Sequence, residues 1–324
     1  MNAIRTRLQR FFSRQTYVIS LILLIVVVAI NYSFQNNLFE LRIINNNLRT
    51  MMPLMILAVG QAIVVIGGGV DLSVGTMVSM INTLLVTWIT PESTGGDIAL
   101  AFALACGIGI LGGALNGFSV AFLRLQPIVT TYATSFIFSG VALLVLPRPG
   151  GSLPRDLVTF YRSTPLDIPL AFYVIGILIL FWILLRSTRY AQYLFAIGSS
   201  SDAAYSTGVP VRMVRVSTYV WSGLFAALAA VALTLSTGSG QANIGDDMTL
   251  NSVVAVVLGG IALRGGGGNV IGAVIGVIIL GVIRNIIFFA EVPTWSQTLV
   301  NALVILAALA APGVIRLFRR IIKR

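Results

Sequence analysis

The sequence predicts an all-α, polytopic membrane protein, and composition and hydrophobic patterning are the two observations behind this prediction. Of the 324 residues, 57% are hydrophobic and only 10% are charged, whereas a soluble domain carries roughly 25% charged residues. The apolar residues gather in runs of about twenty, which is enough to cross a hydrocarbon core of roughly 30 Å as helix. The short alternating segments typical of a transmembrane barrel are not found. We therefore treat residues 1–324 as a single transmembrane domain.

The hydrophobic runs predict about ten transmembrane helices in chain order. Their approximate ranges are 17–35, 47–66, 72–90, 98–121, 127–146, 166–185, 214–236, 248–263, 269–290 and 296–315. If the N-terminus is cytoplasmic, fifteen of the 21 basic residues fall on the cytoplasmic side and five outside, as the positive-inside rule requires. An even number of spans then places both termini in the cytoplasm. The net charge of +11 is thus a topology signal, and we expect no nucleic-acid partner.

A glycine-rich stretch interrupts the apolar sequence between the second and third spans. This stretch, 67–75, reads GGGVDLSVG and begins with three glycines: Gly67, Gly68 and Gly69. These glycines supply backbone freedom that a continuous helix does not need. Asp71 follows them, and we expect its carboxylate to cap the next helix by accepting from the backbone N–H of Ser73 or Val74. The alternative is that its charge is functional, as a cation site or as an ion-pair partner for an arginine such as Arg264.

A second stretch repeats this pattern in the other half of the chain. Residues 62–75 and 255–268 each run from a β-branched segment into paired glycines and a glycine-rich break. Corresponding glycine-interrupted segments in two halves indicate a transporter built from two structural repeats with broken helices. Glycine also permits close packing in membrane helices, and this alternative interpretation stays open.

The residue types present argue against an enzyme. The sequence has no histidine, ten acidic residues and one cysteine, Cys106, so general acid/base pairs and the usual metal ligands are scarce. The glycine-rich stretches lack the Lys-Ser/Thr pair of a phosphate-binding loop. We predict a chain without catalytic residues, metal or cofactor, and without an ATPase of its own.

Polar side chains within the spans are the candidates for a solute pathway. We single out four amides: Gln61, Asn82, Asn116 and Asn251. Each is costly in lipid unless it faces protein or water. Together they suit a pathway for an uncharged, polyhydroxylated solute, although any one of them is also explained by hydrogen bonding between helices.

The polar segment 186–215, between the sixth and seventh spans, is the longest cytoplasmic feature. Within it, 196–208 has a Ser/Asp start, an Ala-Ala pair and a Gly stop, which is the pattern of a short helix capped at both ends. A helix beneath the membrane is a natural docking surface for a cytoplasmic partner, and the alternative is a structural interfacial helix. The residues concerned are Ala196, Gly198, Asp202, Ala203, Ala204 and Gly208.

Four sequence blocks resemble the ribose-type permeases of ATP-binding-cassette importers. GGGVDLSVG is similar to that family's GG-x-DLSVG signature, and FAIGSSSDAAYSTGV resembles its coupling-loop motif. LNSVVAVVLGGIALRGG and GGALNGFSVAFLRLQPIVTTYAT, the latter with Asn116 and Pro127, match two further blocks. The sequence departs from the family at Ser199 and Ser200 of the coupling motif and at Thr249, Asn251 and Arg264.

The resemblance implies a function and a set of partners. It implies a multi-pass permease subunit in the bacterial cytoplasmic (inner) membrane, which moves a monosaccharide or similar hydroxylated solute by alternating access. The implied partners are a cassette ATPase subunit, a second permease in a homodimer or heterodimer, and a periplasmic or extracellular solute-binding protein. It also assigns the six residues of 196–208 to ATPase coupling. Alternatives are a self-sufficient secondary carrier and a cassette permease for nucleosides or branched-chain amino acids.

Overall fold

The computed structural model describes residues 17–293 and, beyond them, 295–296, 299–300, 302–303 and 306. The helices are α1 Tyr17–Phe34, α2 Leu41–Ile66, α3 Val74–Trp88, α4 Gly95–Ala121, α5 Pro127–Val145, α6 Arg155–Arg162, α7 Leu170–Arg186, α8 Arg189–Ser199, α9 Ser201–Ser206, α10 Val211–Thr237, α11 Asp246–Leu258 and α12 Val270–Phe289, with a 3₁₀ turn at Pro165–Asp167. Within this part of the chain there is no β-strand, and a single bridge joins Gly150 to Gly240. The prediction of an all-α membrane protein is therefore confirmed.

Five helices of the described part are long and apolar enough to cross a membrane: α2, α4, α5, α10 and α12. A sixth span results if α6, the 3₁₀ turn and α7, which are bent by 83°, are counted as one. Each of the first nine predicted spans coincides with a helix. Most of the tenth, at 296–315, lies outside the described residues, as does each terminus, so the count of ten and the cytoplasmic termini stay predictions.

The third and eighth predicted spans are shorter in the structure than in the sequence analysis. α3 has 15 residues and α11 has 13. Helix α3 begins only after Ser73, and Ile89 at its other end is extended (φ −100°, ψ 117°). Helix α11 ends at the Gly259 turn while the apolar sequence continues. The sixth span begins at Leu170 instead of residue 166, because Leu166 is left-handed at φ 53° and lies in the 3₁₀ turn. Hydropathy depends on the side chains alone, so it does not detect these changes of backbone conformation.

Helix α2 forms the centre of the subunit. Every residue from Met51 to Ile66 is buried, and α10 and α12 pack directly against it. Helix α10 also packs on α4, whose glycines recur every four residues: Gly109, Gly113 and Gly117. A Cβ at Gly113 would overlap the Tyr219 carbonyl oxygen, and one at Gly117 would lie 2.8 Å from Val216 Cα. These glycines therefore bring the two backbones together, as small residues do between membrane helices.

The same backbone turn ends α2 and α11. Gly67 (φ −71°, ψ 0°) and Gly259 (φ −68°, ψ −1°) are the C-caps, and Gly68 and Gly260 follow, each with φ 83°. The turns are closed by Gly68 N to Val65 O at 3.0 Å and Gly69 N to Val64 O at 3.0 Å, and by Gly260 N to Val257 O at 2.9 Å and Ile261 N to Val256 O at 3.1 Å. Both turns are Schellman motifs. The two stretches compared in sequence thus share a local structure as well as a pattern.

Candidate functional site

Asp71 is fully buried at the start of α3 and is held by three hydrogen bonds. Its Oδ1 accepts from the Ser73 backbone N–H at 3.0 Å and from the Ser73 hydroxyl at 2.7 Å. Its Oδ2 accepts from the Ser222 hydroxyl of α10 at 2.9 Å. The expected bond to the Ser73 N–H is present. The N-cap position itself is Ser73, not Asp71, because α3 begins at Val74 and Asp71 forms an Asx turn two residues earlier.

The Ser73 hydroxyl continues this hydrogen-bonded cluster into α4 and α5. Asn116 Nδ2 donates to Ser73 Oγ at 2.8 Å, and Asn116 Oδ1 accepts from the Thr134 hydroxyl at 2.7 Å. The Thr131 hydroxyl accepts from the Leu72 backbone N–H at 3.0 Å. The break is thus tied to α4, α5 and α10 through side chains that are all buried. Within residues 17–293 Asp71 forms no ion pair, and Arg264 is not among its partners, so the ion-pair alternative has no support in the structure.

Residues 196–208 belong to two helices, whereas their pattern predicted one. Ser200 is extended (φ −162°, ψ 110°) and separates α8 from α9. Its hydroxyl accepts from the Ala203 N–H at 3.3 Å, and Gly208, with φ 83°, follows the end of α9. The caps lie where the pattern placed them, but the helix between them has six residues. Ala196 and Gly198 belong to α8, because a serine in extended conformation caps a new helix instead of continuing the old one.

The surface of α9 is divided between exposed and buried side chains. Asp202, Ala203 and Tyr205 are exposed, whereas Ala204 is buried against Ile197 and Val214. Beside it, burial raises the pKa of Tyr190 to about 12, partly offset by the Ser217 hydroxyl. Helix α9 therefore exposes a small surface, while its buried side packs against α8 and α10.

Glycines join the end of α8 to the end of α2 and to the loop after α11. Gly266 N donates to the Ile66 carbonyl oxygen at 2.9 Å, which places the loop after α11 on the end of α2. A Cβ at Gly198 would overlap the same Ile66 oxygen, and one at Gly265 would lie 2.7 Å from Gly68 Cα. The Ser199 hydroxyl lies 3.4 Å from the Gly266 carbonyl oxygen. The end of α8 therefore rests on the 67–69 turn and on residues 265–266 of the loop after α11. The run of four glycines at 265–268 was the sign of this contact in the sequence.

A cavity of about 1120 Å³ opens between the 67–69 turn, the α4–α5 loop and α9–α10. Three arginines line it: Arg124, Arg212 and Arg215. The Arg215 guanidinium donates to Ser201 Oγ at 2.7 Å, and that of Arg212 lies 5.8 Å from the Phe122 ring centre. Basic residues of the predicted cytoplasmic side therefore surround α9.

The four candidate pathway amides are all buried within the subunit. Asn82 Nδ2 donates to the Thr234 hydroxyl at 2.8 Å, and its Oδ1 accepts from Gln241 N at 3.0 Å. Asn116 belongs to the Asp71 cluster described above. Gln61 has no hydrogen-bond partner among the described residues. None of the four, including Asn251, lines the cavity beside α9. Asn82 and Asn116 thus bridge helices, and the structure does not bring the four together.

Sequence reasoning missed the contact between the starts of α3 and α11. The Gly75 backbone N–H donates to the Thr249 hydroxyl at 3.0 Å. A Cβ at Gly75 would overlap both Thr249 and Gly245. The glycine of the DLSVG sequence therefore lets a helix from the second half approach closely. Within the described residues, no three acidic or cysteine side chains are grouped to hold a metal ion.

Comparison with known proteins gives a consistent set of matches. Residues 43–309 match the family described as branched-chain amino acid transport system / permease component. The chain is 32% identical over 295 residues to the ribose import permease protein RbsC of Escherichia coli (strain K12), covering 89% of this chain and 91% of the relative. It is 34% identical over 291 residues to RbsC of Bacillus subtilis (strain 168), covering 89% and 88%. It is 30% identical over 312 residues to the galactose/methyl galactoside import permease protein MglC of Escherichia coli (strain K12), covering 90% and 91%. No solved structure matches the chain.

Proposed function

We infer the function from the premise that this chain belongs to the family described as branched-chain amino acid transport system / permease component. The resemblance noted in the sequence is thereby confirmed. We propose that the chain is the transmembrane subunit of an ATP-binding-cassette importer in the cytoplasmic (inner) membrane. Its cargo is a monosaccharide or a similar hydroxylated solute, and the chain itself catalyses no reaction.

The choice of a sugar is supported by the relatives that cover about nine-tenths of the chain. Their names specify import of ribose and of galactose or methyl galactoside. The family description names branched-chain amino acids, which keeps that solute class as the second candidate. The relatives named above include neither a nucleoside permease nor a secondary carrier.

The contact of the α8–α9 corner with the end of α2 and with the loop after α11 is the observation that carries the mechanism. Gly198 lies against the end of α2, and Gly266 N is bonded to the Ile66 carbonyl oxygen. We expect an ATPase that pushes on α9 to displace the end of α2 and the loop after α11 together. Closure of the ATPase subunits then shifts the permease between outward- and inward-facing states, by favouring the state to which the closed ATPase binds better.

The remaining features of the assembly follow from the same proposal. Two permease subunits, identical or different, pair with two ATPase domains on the cytoplasmic side and one solute-binding protein outside. Ten spans built as two structural repeats place both termini in the cytoplasm. The matching turns at Gly67 and Gly259 and the basic residues around α9 support this arrangement.

Docking of the ATPase on α9 is tested by co-purification. The chain is expressed with a cassette ATPase from the same genome, and each variant is purified through a tag on the permease. Ala203→Glu adds charge and bulk at an exposed position, and we expect about tenfold less ATPase in the complex, a cost of roughly 1.4 kcal/mol in binding. Ala204 is unsuitable because it is buried.

Gln192→Glu, at an exposed position of α8, is the matched control and is expected to keep the ATPase. Undiminished ATPase in the Ala203→Glu preparation would contradict docking on α9.

A further inference from the structure

The segment 238–245, between α10 and α11, lies along α3. At its start, a Cβ on Gly240 would overlap the side chain of Val86, near the end of α3. One helical turn earlier, Asn82 Oδ1 accepts from the Gln241 backbone N–H at 3.0 Å, and Asn82 Nδ2 lies 3.4 Å from the Ser239 carbonyl oxygen. Asn82 therefore holds this non-helical backbone against α3.

The same segment continues further along α3. The Ser79 hydroxyl accepts from the Gly245 backbone N–H at 2.9 Å and lies 3.2 Å from Asp246 Oδ1. Beyond it, Thr249 accepts from the Gly75 N–H at 3.0 Å. The contacts thus proceed in order from the end of α3 towards its beginning. The segment therefore runs antiparallel to α3.

Helix geometry gives the length that the segment and α11 cover together. Val86 and Ser79 are separated by about 10 Å along α3, at a rise of roughly 1.5 Å per residue. Helix α11, with 13 residues, adds about 20 Å at the same rise. Together the two lengths match a hydrocarbon core of roughly 30 Å. With the end of α3 at the membrane surface and both helices along the membrane normal, α11 begins inside the bilayer, and its first residues, Asp246 and Asp247, lie about a third of the way across.

Polar side chains of this region are exposed on the subunit surface. On the segment and the start of α11 they are Gln241, Asn243, Asp246 and Asp247. Arg284, on α12, is exposed as well, and its charge interacts with that of Asp247 without a direct ion pair. Two separate elements thus bring carboxylates, amides and one guanidinium to the same depth.

Such a surface is incompatible with lipid. Charged side chains within the bilayer face protein or water, and non-helical backbone at this depth occurs only where it is buried or lines a water-filled cavity. Carboxylate and amide oxygens accept hydrogen bonds from hydroxyl groups, while guanidinium and amide nitrogens donate to them. The available groups suit a neutral molecule with several hydroxyls.

We propose that Gln241, Asn243, Asp246, Asp247 and Arg284 form a site for a neutral polyhydroxylated solute, in a water-filled cavity part of the way across the membrane. This proposal rests on the proposed function and names the part of the chain that touches the cargo. Asn82, a candidate pathway residue in the sequence, then acts as a positioning residue, because it binds the backbone of the segment and not the solute.

Thiol labelling tests the cavity without relying on transport. In a Cys106→Ala background, Asn243→Cys and Phe136→Cys are treated with a charged, membrane-impermeant thiol reagent. Both positions are exposed on the subunit, but Phe136 lies on α5 among apolar side chains. We expect the reagent to label Asn243→Cys and to leave Phe136→Cys unlabelled. An unlabelled Asn243→Cys would overturn the proposal.

Uptake of radiolabelled ribose or galactose by the assembled complex tests the solute contact. Asp247→Asn is expected to lower uptake by about tenfold or more, and Asp156→Asn, an exposed acid on α6, by less than about twofold. The yield of assembled complex is expected to be equal for both variants. Equal uptake by Asp247→Asn and the parent chain would overturn the site while leaving the proposed function intact. If the parent complex takes up neither sugar in the presence of ATP, the proposed function fails and the site fails with it.

Discussion

Two substitutions of Asp71 separate hydrogen bonding from charge at the α2–α3 break. Asp71→Asn removes the charge but keeps an oxygen where Oδ1 accepts from the Ser73 backbone N–H and hydroxyl. Asp71→Leu preserves the approximate size of the side chain and removes every acceptor. The proposed role of Asp71 is to satisfy donors that water does not reach, so only the second change is expected to harm the protein.

The hydrogen bonds set the expected magnitudes. Leucine leaves three donors without their acceptor: the N–H and hydroxyl of Ser73 and the hydroxyl of Ser222. A buried unsatisfied donor costs about 1–3 kcal/mol, and because the hydroxyls can turn to other acceptors we expect a total loss of about 3 kcal/mol. Asparagine keeps both Ser73 donors, and Ser222 can turn to accept from the new amide, so its cost stays below about 1 kcal/mol.

The assay is thermal unfolding of the purified chain in detergent, followed by uptake in the assembled complex. Glu92→Gln, at an exposed position, is the charge-matched control and is expected to match the parent chain in both measurements. Asp71→Leu with unchanged thermal stability would refute the hydrogen-bonding account. Asp71→Asn that assembles fully but does not transport would show that the charge is what this position requires.

Three further substitutions test the contacts that join the two halves. Gly198→Ala is expected to abolish uptake while the ATPase still co-purifies, because its Cβ would overlap the Ile66 carbonyl oxygen. The control is Gly176→Ala, where a Cβ meets open space. Normal uptake by Gly198→Ala would contradict the coupling contact. Asn82→Leu is expected to lower the free energy of unfolding by about 2 kcal/mol, since the Gln241 N–H loses its acceptor; slowed uptake with unchanged stability would instead make Asn82 a pathway residue. Thr249→Val leaves the Gly75 N–H unpaired and is expected to lower the free energy of unfolding by about 1–3 kcal/mol. Thermal unfolding measures this loss, and an unchanged melting temperature would argue against the contact.

The sequence predicted helices where apolar runs are long, and predicted turns where glycine changes the backbone. The break at Gly67–Gly69 was expected because three consecutive glycines are out of place in a helix. The break at Ser200 was not expected, because serine is compatible with both a helix and an N-cap. Only the extended φ and ψ of Ser200 in the folded chain decide between the two. Local sequence thus located the caps of α9 but not its separation from α8.

The position of segment 238–245 along α3 could not be predicted from the sequence. The segment falls between the predicted spans 214–236 and 248–263, and a cytoplasmic N-terminus puts this interval, with Asp246 and Asp247, outside the membrane. Its position along α3 depends on contacts with Asn82 and Ser79, which are more than 150 residues away in sequence. The contact of Gly198 with Ile66 at the end of α2 likewise joins residues that are far apart in sequence. Contacts of this kind leave no periodicity in the sequence, so the surface that we propose for solute binding could be found only in the folded chain.

Uptake in reconstituted proteoliposomes tests the central claim most directly. The chain is reconstituted with a cassette ATPase and a sugar-binding protein from the same genome, and accumulation of radiolabelled ribose and galactose is measured. We predict accumulation only when ATP is supplied to the ATPase side and the binding protein is present on the opposite side. Accumulation by the chain alone, driven by a sodium or proton gradient without ATP, would contradict the account and identify a secondary carrier.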